Sequence, residues 1–207
     1  MLAKFAKSIG RTVAVAVVGF SVAGSGYAGI LDGNASALPG FTGTAAYDNT
    51  GGLNGTIDYA VFTTADFISV FGSPAGITLT PGYAVYAYQV LNAGTDFVSQ
   101  EIVATPNNSA VDIGSFENLA GEIAPDGAFL SPTTARWTFG NPSIQGGEDS
   151  YILVFSSPNL PTFGGSITVN GGGTAFTNVP TPSNIPLPEP ATAALLGLGG
   201  LAMLRRR

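Results

Sequence analysis

The sequence predicts a mainly β protein: a single antiparallel β-sandwich held between an N-terminal signal-peptide helix and a C-terminal transmembrane helix. Three observations lead there. Short runs alternate apolar with polar or small positions, the period of two that a half-buried strand requires. Gly and Pro, 29 and 14 of the 207 residues, punctuate those runs as turns. Charge is sorted along the chain. Lys4, Lys7 and Arg11 stand at the start and Arg205, Arg206 and Arg207 at the end, with Arg136 alone between them, whereas all thirteen acids lie in that interior. There is no Cys and no His. Their absence excludes nucleophile–His catalysis, Cys- or His-ligated zinc, thiol redox chemistry and a disulfide framework.

Residues 1–28 have the order of a signal peptide. Lys4, Lys7 and Arg11 form a basic start, and residues 12–23 an almost unbroken apolar run that is short for a bilayer span. Gly26 and Ala28 then place small residues at −3 and −1 of a cleavage between Ala28 and Gly29. Signal peptidase is the processing partner this order implies.

Residues 29–178 read as the folded body. Residues 29–187 carry twelve acids and one arginine, a net charge of −11, and no lysine. Such a body repels nucleic acid, so no nucleic-acid partner is expected. Residues 56–63 set Ile57, Tyr59 and Val61 against Asp58, Ala60 and Phe62. Residues 83–91 set Ala84, Tyr86, Tyr88 and Val90 against Tyr83, Val85, Ala87, Gln89 and Leu91. Residues 150–156 set Tyr151, Leu153 and Phe155 against Ile152 and Val154. Further strands are expected over 66–71, 97–104, 111–116, 135–139 and 164–169, with no convincing helix in the body; residues 115–124 have room for one helical turn. Tyr86-Ala87-Tyr88-Gln89-Val90-Leu91-Asn92, Trp137-Thr138-Phe139 and the run from Ser150 to Ser157 resemble the immunoglobulin-like and fibronectin-like sandwiches of bacterial surfaces. A jelly-roll-like arrangement fits the same strand pattern, and the Cys–Trp–Cys arrangement of antibody domains is missing.

Candidate chemistry rests on carboxylates, hydroxyls and aromatics. Paired acids would suit a carboxylate-based glycoside hydrolase. These acids are scattered over turns and strand faces, so the body reads as noncatalytic and the hydrolase is the alternative enzyme reading. No cofactor is implied beyond Ca²⁺. Hard oxygen ligands occur at Asp32-Gly33-Asn34, at Asp48-Asn49 and, as the preferred site, at Glu148 and Asp149; the competing role of such residues is to close turns. Arg136 is expected to pair with an acid or stack on an aromatic, the sharper alternative being a grip on an acidic sugar. Tyr83, Tyr86, Tyr88, Trp137 and Tyr151 are either core or the stacking strip of a carbohydrate-binding module.

Residues 179–187, with Pro180, Pro182 and Pro186, read as an extended proline-rich linker. Residues 191–204 are apolar and uncharged. As a helix they extend roughly 21 Å, a marginal membrane span that snorkelling arginines lengthen. Pro188-Glu189-Pro190, this span and Arg205, Arg206 and Arg207, in that order over residues 188–207, resemble the PEP-CTERM sorting signal. The resemblance implies a protein exported by bacteria that build extracellular polysaccharide or biofilm matrix. It implies a precursor anchored in the inner membrane by the tail, with Arg205, Arg206 and Arg207 as the membrane stop. It also implies an exosortase acting near Pro188, Glu189 and Pro190, and a mature domain at the cell surface or in the matrix.

Overall fold

The computed structural model describes residues 29–106, 109–170 and 173–188. Their elements follow one another as β1 (Thr42–Asp48), β2 (Asn54–Thr63), α1 (Thr64–Phe71), β3 (Ala84–Asn92), β4 (Gln100–Ala104), β5 (Val111–Phe116), β6 (Gly127–Leu130), β7 (Thr134–Thr138), β8 (Ile152–Ser157), β9 (Asn159–Asn170) and β10 (Thr174–Pro186). Two five-stranded sheets result, ordered β1-β2-β3-β8-β5 and β10-β9-β4-β7-β6, with all pairing between these strands antiparallel. The mainly β, antiparallel character expected from the period-two runs is what the chain adopts.

One apolar cluster draws on both sheets. Ile57, Val61, Tyr86, Tyr88, Leu153 and Phe155 come from the first, and Val103, Trp137, Val169, Ala175 and Val179 from the second. A second cluster lies on the reverse of the first sheet, where Ala60, Phe62, Val85, Ala87, Ile152 and Val154 meet Leu31 and Phe67. The alternating faces assigned to residues 56–63, 83–91 and 150–156 separate into these two clusters. Every residue of β8 is buried. Tyr88 Oη donates to the carbonyl of Pro180 at 2.6 Å and ties the first sheet to β10.

Two expectations give way. Residues 66–71, expected as a strand, lie in α1. Thr63 caps this helix: its hydroxyl accepts from the Asp66 N–H at 3.1 Å and donates to Asp66 Oδ2 at 2.6 Å. Phe67 and Phe71, four apart, then face the sheet together and their rings meet Phe62 and Phe116 at centroid distances of 5.4–5.9 Å. The helix ends at Gly72, whose φ of 75° suits glycine. Second, residues 179–187, expected as an extended proline-rich linker, form the last part of β10 as far as Pro186, with Val179, Pro180, Thr181 and Pro182 buried. Proline is compatible with this strand because β10 is the edge of its sheet, where one side needs no N–H donor, and the register shifts beside Pro180 and Pro186 absorb the misfit. Leu187 follows directly, packs against the shared cluster and donates its N–H to the Pro158 carbonyl. The expected leader and the membrane segment at 191–204 lie outside the described residues. Among the described residues no helix is long and apolar enough to cross a membrane.

Candidate functional site

The face of the second sheet turned away from the shared cluster carries the best candidate surface. Register alone builds it: Phe129 on β6 pairs with Arg136 on β7, Arg136 with Ile102 on β4, Ile102 with position 168 of β9, and that position with Phe176 on β10. A single cross-strand row therefore runs the width of the sheet. Phe129 and Phe176 are 49 % and 67 % exposed, unusual for side chains of that size in strands. The Arg136 guanidinium sits 4.9 Å from the Phe129 ring centre, and its side chain has no ion pair or hydrogen bond among the described residues. Beside it Ile102, Phe129, Leu130, Ser131 and Thr134 line a shallow groove of about 340 Å³.

Charge sets this face apart. The five strands of the second sheet contain one acid, Glu101, and it points inward. At the rim, Asp126 is occupied by the Thr138 hydroxyl and the Gly140 N–H; the first of these bonds chiefly lowers its pKa. The remaining described acids sit on the first sheet, on α1 and in the loops. The sole described cation thus lies on a face whose strands present no carboxylate.

The other sequence candidates separate as follows. Tyr86, Tyr88 and Trp137 are fully buried and belong to the core, whereas Tyr83 and Tyr151 are half-buried. Of the two alternatives for Arg136, the stack on an aromatic is the one formed. Glu148 Oε2 accepts the Gln145 N–H at 2.7 Å, which closes a turn. Asp149 is half-buried with Oδ1 unpartnered, and its pKa is raised by burial and by Glu122 and Asp58. Among the described residues no three acids come together as a metal cluster, at Glu148 and Asp149 or elsewhere. Asn34 and Asn49 use their side-chain oxygens to accept N–H groups of Ser36, Gly51 and Leu53, the turn role set against Ca²⁺ binding.

Two groups escaped the sequence reading. Glu101, at the centre of the shared cluster, is fully buried with both carboxylate oxygens unpartnered, and burial pushes its pKa up to about 8. It faces Tyr47 and Tyr88 electrostatically and is closed to any substrate. Its i, i+2 inward alternation with Val103 was the available signal. Asp58 is 8 % exposed; its Oδ1 accepts the Thr44 hydroxyl at 2.7 Å and its Oδ2 the Gly29 backbone N–H at 2.8 Å. Gly29 is the residue that follows the expected cleavage. Pro188 lies against α1 and β3, lining a cavity of about 330 Å³ with Thr63, Thr64 and Tyr83. Ala28, Glu189, Pro190, Arg205, Arg206 and Arg207 lie outside the described residues. No family model, curated protein or solved structure matches this chain.

Proposed function

We propose that this is an exported, noncatalytic bacterial surface or matrix protein whose two sheets pack as an immunoglobulin-like or jelly-roll-like sandwich. A signal peptide ending at Ala28 exports it. A PEP-CTERM tail holds the precursor in the inner membrane until an exosortase acts near Pro188-Glu189-Pro190. The observation that carries the reading is the three-part order of residues 188–207 opposite a basic, apolar start, with twelve of the thirteen acids between. The apolar cluster shared by both sheets supports the sandwich. Replacing Pro188, Glu189 and Pro190 together by alanine is expected to leave an unprocessed, membrane-bound precursor in fractionated cells. Unchanged size and location would reject the sorting signal.

A second reading is favoured by the acid-free face. As a carbohydrate-binding module, the domain would hold a carboxylated polysaccharide, with Arg136 on a uronate carboxylate and Phe129 and Phe176 under sugar rings. Affinity electrophoresis through gels containing polyuronate tests it. Retardation should be lost in Arg136→Gln and weakened in Phe176→Ala. Equal mobility with and without polyuronate would remove this reading.

A further inference from the structure

We propose that Asp58 and Thr44 form a seat for the α-ammonium group of Gly29, created when the leader is removed. This rests on the reading that cleavage falls between Ala28 and Gly29. Hydrolysis of that peptide bond consumes one water: the hydroxyl goes to the Ala28 carbonyl carbon, and the nitrogen of Gly29 gains the proton. At neutral pH this amine takes a second proton and becomes –NH₃⁺. The nitrogen already stands 2.8 Å from Asp58 Oδ2, so the neutral amide donor is replaced by a cation without displacement, and the hydrogen bond becomes a charge-assisted one.

Three features fit a seat of this kind. A Cβ on residue 29 would overlap Asp58 Oδ2, so any other residue there would have to push the carboxylate away from the nitrogen. Thr44, opposite Asp58 in the β1–β2 register, holds the other carboxylate oxygen and fixes the orientation of the group. Asp58 is buried with no described cation to neutralise it, because Arg136 lies on the other sheet. The charged groups around it are acids: Asp32 from the loop before β1 acts on Asp58, and Asp58 in turn acts on Asp149 ahead of β8, itself beside Glu122. Before cleavage this is, among the described residues, an uncompensated carboxylate among carboxylates. After cleavage it has its counter-ion. Processing would therefore complete the first sheet electrostatically, and the leader boundary and the fold are fitted to each other.

The composition supplies the test. Lys4 and Lys7 are the only lysines of the chain and both precede the cut, so the processed protein carries one amine. Exported full-length protein is purified in detergent, its first residue is read by N-terminal sequencing, and it is treated with an acetyl succinimidyl ester at pH 7. Intact mass then follows acetylation of that single amine. The native protein should react at least about tenfold more slowly than the same protein in urea, because an amine held as ammonium with its pKa one unit higher is tenfold less available. Asp58→Asn should restore most of the urea rate. A Gly29 start with equal native and urea rates would overturn the seat and leave the cleavage site standing. A different first residue would overturn the cleavage site and the seat with it. The native-against-urea comparison needs no variant, so a poorly folding Asp58→Asn protein does not remove the test.

Discussion

The first sheet is covered on both faces and the second on one. In the first, β3 and β8 send Tyr86, Tyr88, Leu153 and Phe155 to the shared cluster and Val85, Ala87, Ile152 and Val154 to the side roofed by α1. In the second, buried Ala135 and Trp137 alternate with half-buried Thr134, Arg136 and Thr138. A strand with one open face must keep alternating, because only one set of side chains leaves water. A strand covered on both faces can be apolar throughout. The acids follow the same division, concentrating around the first sheet and leaving the strands of the second free of exposed carboxylate. Under the proposed carbohydrate-binding reading, stability and recognition fall on different sheets, and substitutions can test that division in order of expected effect.

The largest effect belongs under the roof. Phe67 is fully buried and meets Phe62, Phe71 and Phe116. Phe67→Ala is expected to cost about 3–5 kcal/mol, read by urea denaturation. A loss below about 1 kcal/mol would mean that α1 is an appendage and the first sheet is not doubly covered.

Glu101 provides the next effect, and it inverts the usual one. Its folded-state pKa, about 8, lies above the unfolded value, so the folded state binds more protons between those pH values. Its contribution is fully present below the unfolded carboxylate pKa and is lost as pH rises toward 8. Glu101→Gln should flatten this decline and raise stability at pH 8 by about 2–4 kcal/mol. Parallel stability–pH profiles for the two proteins would show that the carboxylate finds a partner or water in solution.

Asp112 joins the loop between α1 and β3 to the first sheet and comes third. Its Oδ2 accepts the Thr80 N–H and hydroxyl and the Ser156 hydroxyl at 2.6–2.9 Å. Burial acts to raise its pKa, but these bonds prevail and lower it. Asp112→Ala should cost about 2 kcal/mol at neutral pH. The wild-type advantage should fade as pH falls through the depressed pKa, the opposite direction to Glu101. An undiminished advantage at pH 2 would exclude the carboxylate bonds as its source.

Legibility in the sequence divided along the same line. The long alternating runs of β2, β3 and β8 could be read with their faces, because each sets two apolar stripes at period two. The helix at residues 64–71 was hidden inside an apolar run, although Thr63 and Asp66 at capping spacing, with Phe67 and Phe71 four apart, marked it. The proline-rich end of β10 was read as spacer because proline removes ladder donors, and edge position is a tertiary fact. Of the aromatics left as either core or strip, three are core for a related reason. Tyr86, Tyr88 and Trp137 belong to strands whose cover is set by the partner sheet, whereas Phe129 and Phe176 become neighbours of one row only through the pairing of five strands.

That row should give the smallest stability effect. Phe176 is the most exposed large apolar side chain among the described residues, and Phe129 is half-exposed under Arg136. Removing an exposed ring returns little buried area to water. Phe176→Ala and Arg136→Gln are therefore each expected to change stability by less than about 0.5 kcal/mol. Phe67→Ala, the same kind of truncation in the helix that covers the other sheet, differs in what surrounds the ring. If Phe176→Ala instead cost as much as Phe67→Ala, the reverse of the second sheet would have to be covered in solution, and it would be a core face like its counterpart. If it cost nothing, the exposed aromatics and the guanidinium stacked on Phe129 are held in place by the sheet without serving its stability. A ligand-binding surface requires that condition, because groups committed to internal contacts have nothing left to offer a partner.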